Sequence, residues 1–392
     1  MRILLLSFYY PPDIGPGPLR AKSIVDALSS IGGREVQIDV LTTLPNRYHS
    51  LYGSAPRFER EGVVSIQRVV LPEHKSGMVD QSKAFLAYGQ AVRKHTRGGQ
   101  WDVVVATSSR LMTASLAAWV AKGIRAKLYL DIRDLFTDTM EDVLAKSPFY
   151  LLLPGFRALE RWTFRAADAM NAVSAGFLPH LHSVRPGVSP SVYTNGIDEL
   201  FVETDFSASA KGDMPVVLYA GNVGEGQGLH RIVPAVADLM PDIQLKVIGD
   251  GGMRKALVED VRSKSLRNVE ILNPMPRDRL IDEYRQADVL FLHLNNYKAF
   301  EKVLPSKIFE YAATGKPMLA GVSGYAAQFL RDQVSGVEVF EPCDANAMRS
   351  SLQRLLRGPR TIDRSVFCSR YLRKKIMEDM AGDVLSLASA AA

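Results

Sequence analysis

The sharpest chemical signal in this 392-residue chain is Leu304-Pro-Ser-Lys-Ile-Phe-Glu-Tyr-Ala-Ala-Thr-Gly-Lys-Pro-Met318. Pro305 suits a helix start, where its missing N–H costs nothing. Ser306 and Lys307 then fall in the first turn, where a cation is unfavourable unless an anion neutralises it. Glu310 follows three residues later on nearly the same face. Gly315 and Pro317 end the helix. A cation and a carboxylate aimed at one place would suit a phosphate and ribose hydroxyls.

Four other stretches could carry chemistry, each just after an apolar run. Leu218-Tyr-Ala-Gly-Asn-Val-Gly-Glu-Gly-Gln-Gly-Leu229 joins a strand to a helix through four glycines. Backbone amides there could cradle phosphate. The spacing is not the dinucleotide fingerprint. Asp242 lies where the acidic ribose partner would be, about 20 residues on, but precedes a strand, so NAD is disfavoured. Ile248-Gly-Asp-Gly-Gly252, with Gly249, is either a tight turn or a wall for a nucleotide base. Tyr9-Tyr-Pro-Pro-Asp-Ile-Gly-Pro-Gly-Pro-Leu-Arg20 reads as an anion-friendly loop through Gly15, Gly17 and Arg20, or as a plain strand-to-helix turn. Leu130-Asp-Ile-Arg-Asp134 is either an ion-pair network at a strand end or a carboxylate set in a cleft.

The elements that position these stretches follow from pattern. Short apolar runs at Ile3–Ser7, Val36–Leu41, Val63–Val69, Val103–Ala106, Leu128–Asp131 and Met170–Val173 read as buried strands. A second set follows at Val216–Ala220, Gln244–Ile248, Val269–Leu272, Val289–Leu292, Met318–Ala320 and Gly336–Phe340. Helical patterns separate them, among them Leu19–Ile31, Asp80–Arg97, Leu111–Lys122 and Phe156–Ala167. Continuous β-branched runs joined by helices indicate parallel sheets covered on both faces. One open sheet of about 12 strands would be unusually wide, so two Rossmann-like domains are expected, with ligands beyond the carboxyl ends of their strands. The first spans 1–198. A polar linker covers 199–213, the second domain 214–370, and a final helix with a frayed tail, 371–392, is free to pack back on the first.

Composition bounds the rest. A hydrophobic fraction of 47% and a charged fraction of 23% are ordinary for a globular protein and exclude disorder, collagen and coiled coil. Two cysteines, Cys343 and Cys368, and seven histidines without an HExxH pattern support neither a disulfide framework nor a zinc site. The net charge is +6, and its excess lies in residues 1–200, with 23 Lys+Arg against 18 Asp+Glu. A basic half could meet nucleic acid, an anionic membrane or a phosphorylated substrate. No nucleic-acid motif and no run of five basic residues occurs, so nucleic acid is not expected. The apolar start runs straight into Pro11-Pro12 and reads as a strand rather than a signal peptide. No stretch reaches the ~18–20 apolar residues of a membrane span.

In order and spacing these stretches together resemble the GT-B glycosyltransferases, specifically the retaining family 4, almost end to end. Tyr9-Tyr-Pro-Pro…Arg20 is similar to the family's acceptor loop, Thr194-Asn-Gly-Ile-Asp198 to its domain junction, and Ala220-Gly-Asn-Val-Gly…Gln227-Gly to its diphosphate loop. Pro305-Ser-Lys-Ile-Phe-Glu-Tyr is similar to its donor helix. Ile132-Arg-Asp-Leu135 resembles bacterial O-antigen and capsule transferases, including amino-sugar transferases. The resemblance implies an α/β fold with two Rossmann-like domains and parallel sheets facing a central cleft. It implies a UDP-sugar or related nucleotide-sugar as substrate, no metal, and a glycan or lipid-linked acceptor. Donor contacts would come from Gly221, Asn222, Gly224, Gln227, Gly249, Pro305, Ser306, Lys307 and Glu310. Gly15, Gly17 and Arg20 would meet the acceptor, and Arg133, Asp134 and Lys307 would serve the chemistry, with Asp134 positioning or deprotonating the acceptor.

The chain departs from the family in three places. Asn222 and Gln227 stand where many members carry Arg and Lys, Lys302 where they carry Glu, and Arg133-Asp134 where some carry His-Asp. A non-catalytic sugar-nucleotide binder and a UDP-sugar 2-epimerase are the competing readings. The resemblance also implies a cytoplasmic protein at the inner face of the membrane. Two basic amphipathic stretches could lie on anionic lipid: Asp80–Arg97 with Met78, Phe85, Leu86, Tyr88 and Val92, and Lys146–Arg165 with Phe149–Leu153, Arg157, Arg161 and Arg165. Ordinary core packing of the same apolar faces is the alternative.

Overall fold

The first six apolar runs become parallel strands because both of their faces are covered. They are β1 (Arg2–Leu6), β2 (Gln37–Thr43), β4 (Val64–Val69), β5 (Val103–Ser108), β6 (Lys127–Ile132) and β7 (Ala169–Ala172). β3 (Phe58–Glu61) is an addition that the apolar pattern does not signal. It pairs antiparallel with β4 at the sheet edge, where only one neighbour is present and charged side chains are tolerated. The order is β3-β4-β2-β1-β5-β6-β7. The computed structural model describes residues 1–13, 15–46, 55–72, 78–108, 110–144, 148–207 and 214–390.

The second set forms β8 (Val216–Ala220), β9 (Gln244–Ile248), β10 (Val269–Leu272), β11 (Val289–His293), β12 (Met318–Gly321) and β13 (Val337–Phe340). All pair in parallel, in the order β10-β9-β8-β11-β12-β13. Leaving β3 aside, both sheets have the 3-2-1-4-5-6 arrangement of a Rossmann fold. Each order reverses once, between β1 and β5 in the first sheet and between β8 and β11 in the second. At such a point the connections leave in opposite directions and open a crevice at the strand carboxyl ends.

Two compact units result, Met1–Asn195 with Arg373–Ala392, and Gly196–Leu372. The final helix, Arg373–Ser389, belongs to the first. Its Met377, Met380 and Val384 are buried with Ile24 and Leu28 of the helix Pro16–Gly32 and with Ile3 and Leu5 of β1.

The expected linker is different in the structure. Residues Gly196–Phe206 are part of the second unit, and Glu199–Glu203 is a short helix capped by Asp198. Phe201 and Phe206 stack at 6.1 Å and are buried in that unit's core with Tyr284. Two aromatic side chains in a polar stretch gain enough burial to order it. The remainder of the expected linker, 208–213, lies outside the described residues.

The two stretches considered for lipid contact also separate. In the helix Met78–Thr96, Tyr88 and Val92 are fully buried and Phe85 stacks on Phe8 at 6.2 Å, so these three belong to the core, while Leu86 is 64% exposed. In the second, Leu153 and Phe164 of the helix Leu153–Ala166 are buried, but Leu151 and Leu152 just before it are 84% and 51% exposed. Arg161 and Arg165, further along that helix, are exposed, and Arg157 pairs with Glu141 at 2.6 Å. Among the described residues no helix is long and apolar enough to cross a membrane.

Candidate functional site

The loops after β8 and β9 are bound together by their backbones. Gly221 N–H donates to the Ile248 carbonyl at 2.9 Å, and Val223 N–H to Asp250 at 2.8 Å. This close approach is why glycine is required at 249, where a Cβ would stand 1.8 Å from the Gly221 carbonyl oxygen. Across the first loop, Asn222 Nδ2 donates to Gln227 Oε1 at 2.8 Å, and Gly224 N–H to the same oxygen at 3.3 Å. A Cβ at Gly224 would collide with the Asn222 amide at 2.6 Å. Two neutral amides bridge each other at the positions where the resemblance would put cations.

The carbonyls of the turn Glu225–Gln227 are held by β11 and its continuation. Asn295 Nδ2 donates to the Glu225 carbonyl at 2.9 Å, Asn295 N–H to Gly226 at 2.8 Å, and His293 Nδ1 to Gln227 at 2.7 Å. The Cys343 N–H donates to His293 Nε2 at 2.9 Å. These two bonds define the neutral Nδ1–H tautomer. Burial lowers the His293 pKa to about 4, with the nearby Arg231 charge acting in the same direction against the Gln227 bond. Gly321 on the neighbouring strand makes room for the ring, since a Cβ there would lie 2.2 Å from it. The Tyr297 hydroxyl and the Asn295 amide both donate to the Glu225 carboxylate, at 2.8 and 3.2 Å. Sequence reading misses His293, Asn295 and Tyr297. Their only signal was two polar residues ending an apolar strand.

The donor-like helix begins two residues later than the sequence suggests, at Lys307, with Ser306 as its N-cap and Pro305 just before. It spans Lys307–Ala313. β11 pairs with β8 only as far as Leu218. Beyond that point the Ala220 N–H donates to the Tyr311 hydroxyl at 3.0 Å, and that hydroxyl donates to the Ala220 carbonyl at 3.2 Å. Tyr311 therefore takes the place of the missing strand neighbour and fixes the helix at the crevice of the second sheet. Lys307 Nζ donates to Glu310 Oε2 at 2.7 Å and to the Tyr284 hydroxyl at 3.1 Å. It also lies 5.8 Å from the Tyr284 and Tyr311 ring centroids. Burial lowers the Lys307 pKa, but the Glu310 carboxylate together with Tyr311 and Tyr219 outweighs it and the net shift is upward. Cation and carboxylate are thus partners of each other, on a bed of two tyrosines.

In the first unit, Arg20 has a different place from the one expected. It is 2% exposed and forms a two-pronged bond with Asp131, at 2.7 and 2.8 Å. Its other N–H groups donate to the Thr194 and Tyr193 carbonyls at 2.7 and 2.9 Å. Asn171 adds a bond to Asp131 at 2.7 Å. Arg20 thus ties the first helix to β6 and the chain's exit from the unit, which removes it from acceptor contact. Gly15 precedes that helix at φ 139°, while Gly17 is buried inside its first turn. Arg133 and Asp134 follow β6. Arg133 N–H meets Ser108 Oγ at 3.4 Å, and Thr139 donates to Asp134 at 3.5 Å. Burial raises the Asp134 pKa to about 6 against the Leu135 N–H, the Thr139 hydroxyl and the Arg133 charge. A carboxyl group that titrates near neutrality can take or give a proton there. Among the described residues no group of three or more His, Cys, Asp or Glu could hold a metal ion.

Known proteins match both units. Residues 21–191 match the glycosyl transferase 4-like domain and residues 201–374 the glycosyl transferases group 1 domain. A D-inositol 3-phosphate glycosyltransferase of Xylanimonas cellulosilytica is 27% identical over 190 residues, which is 46% of this chain and 44% of the relative. A lipopolysaccharide 1,2-N-acetylglucosaminetransferase of Salmonella typhimurium is 24% identical over 211 residues, 48% of this chain and 53% of the relative. The chain spans about half the length of these curated relatives. Among solved structures, sucrose-phosphate synthase of Thermosynechococcus elongatus superposes with a TM-score of 0.75 over 100% of both chains at 17% identity. HepE of Anabaena, in complex with UDP and glucose, gives 0.67 over 98% of this chain and 99% of its own at 14% identity. WaaG, a glycosyltransferase involved in lipopolysaccharide biosynthesis, gives 0.61 over 99% and 98% at 17% identity. With one family domain on each Rossmann-like unit and this fold over the whole length, the chain belongs to the GT-B glycosyltransferases.

Proposed function

We propose that the chain transfers a sugar from a nucleotide-sugar, with UDP as the nucleotide, to a glycan or lipid-linked acceptor in bacterial surface polysaccharide synthesis. The observation that carries this reading is the crevice of the second sheet. There the clamped loop Gly221–Gly228 and the pair Lys307–Glu310 sit beside one another, both fixed to the end of β8. Loop amides and Lys307 would stabilise the departing diphosphate, a preorganised electrostatic effect that needs no metal. Glu310 would exchange its bond to Lys307 for the ribose hydroxyls when the diphosphate draws Lys307 away. With Asn222 and Gln227 neutral, Lys307 carries the largest share of the anion's charge. Transfer would retain configuration, with the donor phosphate accepting the acceptor's proton and Asp134 orienting the acceptor hydroxyl. The complex of HepE with UDP and glucose and the name of the Salmonella relative support the nucleotide and the pathway class.

The test is a melting-temperature panel of UDP, GDP, ADP, CMP and NAD on the wild-type chain and Glu310→Ala. A ligand that binds only the folded state raises the melting temperature. A UDP-selective rise that is lost in the variant is expected. No rise with any nucleotide at saturation would sink the reading and favour a non-catalytic partner. Exposed Leu151 and Leu152, with exposed Arg161 and Arg165 further along the helix that follows, would rest on anionic lipid at the inner membrane face. Sedimentation with phosphatidylglycerol vesicles should then fall on Leu151→Glu and at high salt, and equal sedimentation of the two proteins would remove this contact.

A further inference from the structure

At the crevice of the first sheet stands a cation that the sequence patterns do not pick out. Arg110 follows β5 with extended backbone, φ −144° and ψ 129°, and opens the 14-residue helix Leu111–Ile124. Its guanidinium lies 4.5 Å from the Phe8 ring centroid and 5.1 Å from that of Tyr9, both just beyond β1. It donates to Gln81 Oε1 at 2.7 Å and to the Tyr9 hydroxyl. β1 and β5 are the two strands between which the sheet order reverses, so Arg110 and Tyr9 meet at the switch point itself.

Among the described residues the charge on Arg110 is held without an anion. The two fully buried arginines of this unit each have a carboxylate, Arg20 with Asp131 and Arg68 with Glu59, and half-buried Arg185 is held by the backbone carbonyls of Phe164, Arg165 and Ala167. Among the described residues Arg110 has none, and its hydrogen-bond partners are a neutral amide and a neutral phenol. Stacking on two rings fixes the plane of the fork and leaves further N–H groups to donate. The helix it opens has no side-chain cap and no acidic residue in its first turn, so its leading amides add to the same positive field. Donors from a planar fork and from a helix start suit the several oxygens of a phosphate. β5 and β6 pair in register at Ser108 and Ile132. Arg110 and Asp134 therefore leave adjacent strands two residues past the same rung.

We propose that Arg110 is the recognition point for a phosphate group, a phosphomonoester or diphosphate, carried by the acceptor. The acceptor's anionic end docks on the guanidinium, and its hydroxyl reaches the neighbouring strand end at Asp134. Only the word acceptor rests on the transferase reading; the anion site stands on the first unit alone.

Titration calorimetry at matched ionic strength, with UDP saturating so that a donor site is filled, tests this. The probes are inorganic pyrophosphate, geranyl diphosphate and geraniol. The wild-type chain should bind the two phosphate probes and not geraniol. Arg110→Gln should weaken both by about tenfold or more, the scale of a charged hydrogen bond, with an unchanged melting temperature. Arg110→Lys should be intermediate, because it keeps the charge without the fork. Gln81→Ala, which removes a neutral competitor, should bind at least as well as wild type and serves as well if Arg110→Gln does not fold. Similar Arg110-dependent affinities for both probes would mean that a soluble phosphate suffices, whereas a clear preference for geranyl diphosphate would place a lipid chain beside it. Unchanged affinity in Arg110→Gln, or no binding of either phosphate probe to wild type, overturns the proposal. The UDP panel is read separately, so failure of the donor reading is distinguishable from failure of this one.

Discussion

Replacing His293 by Gln should make the second unit's stability less sensitive to acid, by an amount that follows from burial. The imidazole is 2% exposed, donates to Gln227, accepts from Cys343, and has its pKa lowered to about 4. In the unfolded chain the ordinary value is about 6.5. Below about pH 6.5 the unfolded state therefore takes a proton that the folded state refuses until about pH 4. This contribution is fully present above pH 6.5 and is lost as pH falls through that window. At pH 5 the loss is about 2 kcal/mol, from about 1.4 kcal/mol per unit of pH. Gln keeps a donor and an acceptor but does not titrate. The stability advantage of wild type over His293→Gln should shrink by about 2 kcal/mol between pH 7.5 and pH 5. The charged and titratable neighbours, Arg231 and Cys343, are common to both proteins and cancel in the difference. Tryptophan fluorescence cannot report it, because Trp101, Trp119 and Trp162 all lie in the first unit. Hydrogen exchange read by mass spectrometry on peptides covering β8 and β11 isolates the second unit's opening free energy. An advantage that stays constant between the two pH values would refute the tautomer and burial argument.

Two further outcomes follow from the first unit. Arg20→Met leaves Asp131 buried with only Asn171 beside it and should destabilise that unit by about 3–5 kcal/mol, the cost of breaking a buried pair. The three tryptophans report it in urea, and a change below about 1 kcal/mol would contradict a structural role. Asp134 should impose an acid limb on transfer, because its carboxylate is present only above about pH 6. Asp134→Asn should lower kcat/KM and abolish that limb, and a variant that keeps the wild-type profile would remove Asp134 from the chemistry.

Each unit's strand set, its helices and its glycine loops were legible because they rest on local patterns. β-branched runs, Pro305 and Pro317 around a helix, and glycines between strand and helix are properties of a few adjacent residues. The placement of Lys307 and Glu310 on one short helix was legible for the same reason. β3 was not, since an edge strand needs no apolar face, and the order of Phe201 and Phe206 was not, since their partner Tyr284 lies some 80 residues away. Long-range contact also decided what each polar group does. Arg20 reads as a loop cation until Asp131, 111 residues away in sequence, occupies it. His293 and Asn295 read as strand-end residues until the turn 66 to 70 residues earlier folds against them. Among the described residues Arg110 becomes a cation without an anion only once Phe8, Tyr9 and Gln81 surround it. Sequence determines which segments can be strand, helix or phosphate-sized loop, because those choices depend on neighbours along the chain. Tertiary structure decides which charges are neutralised and which remain open to a ligand, because a charge's partner is selected by distance in space.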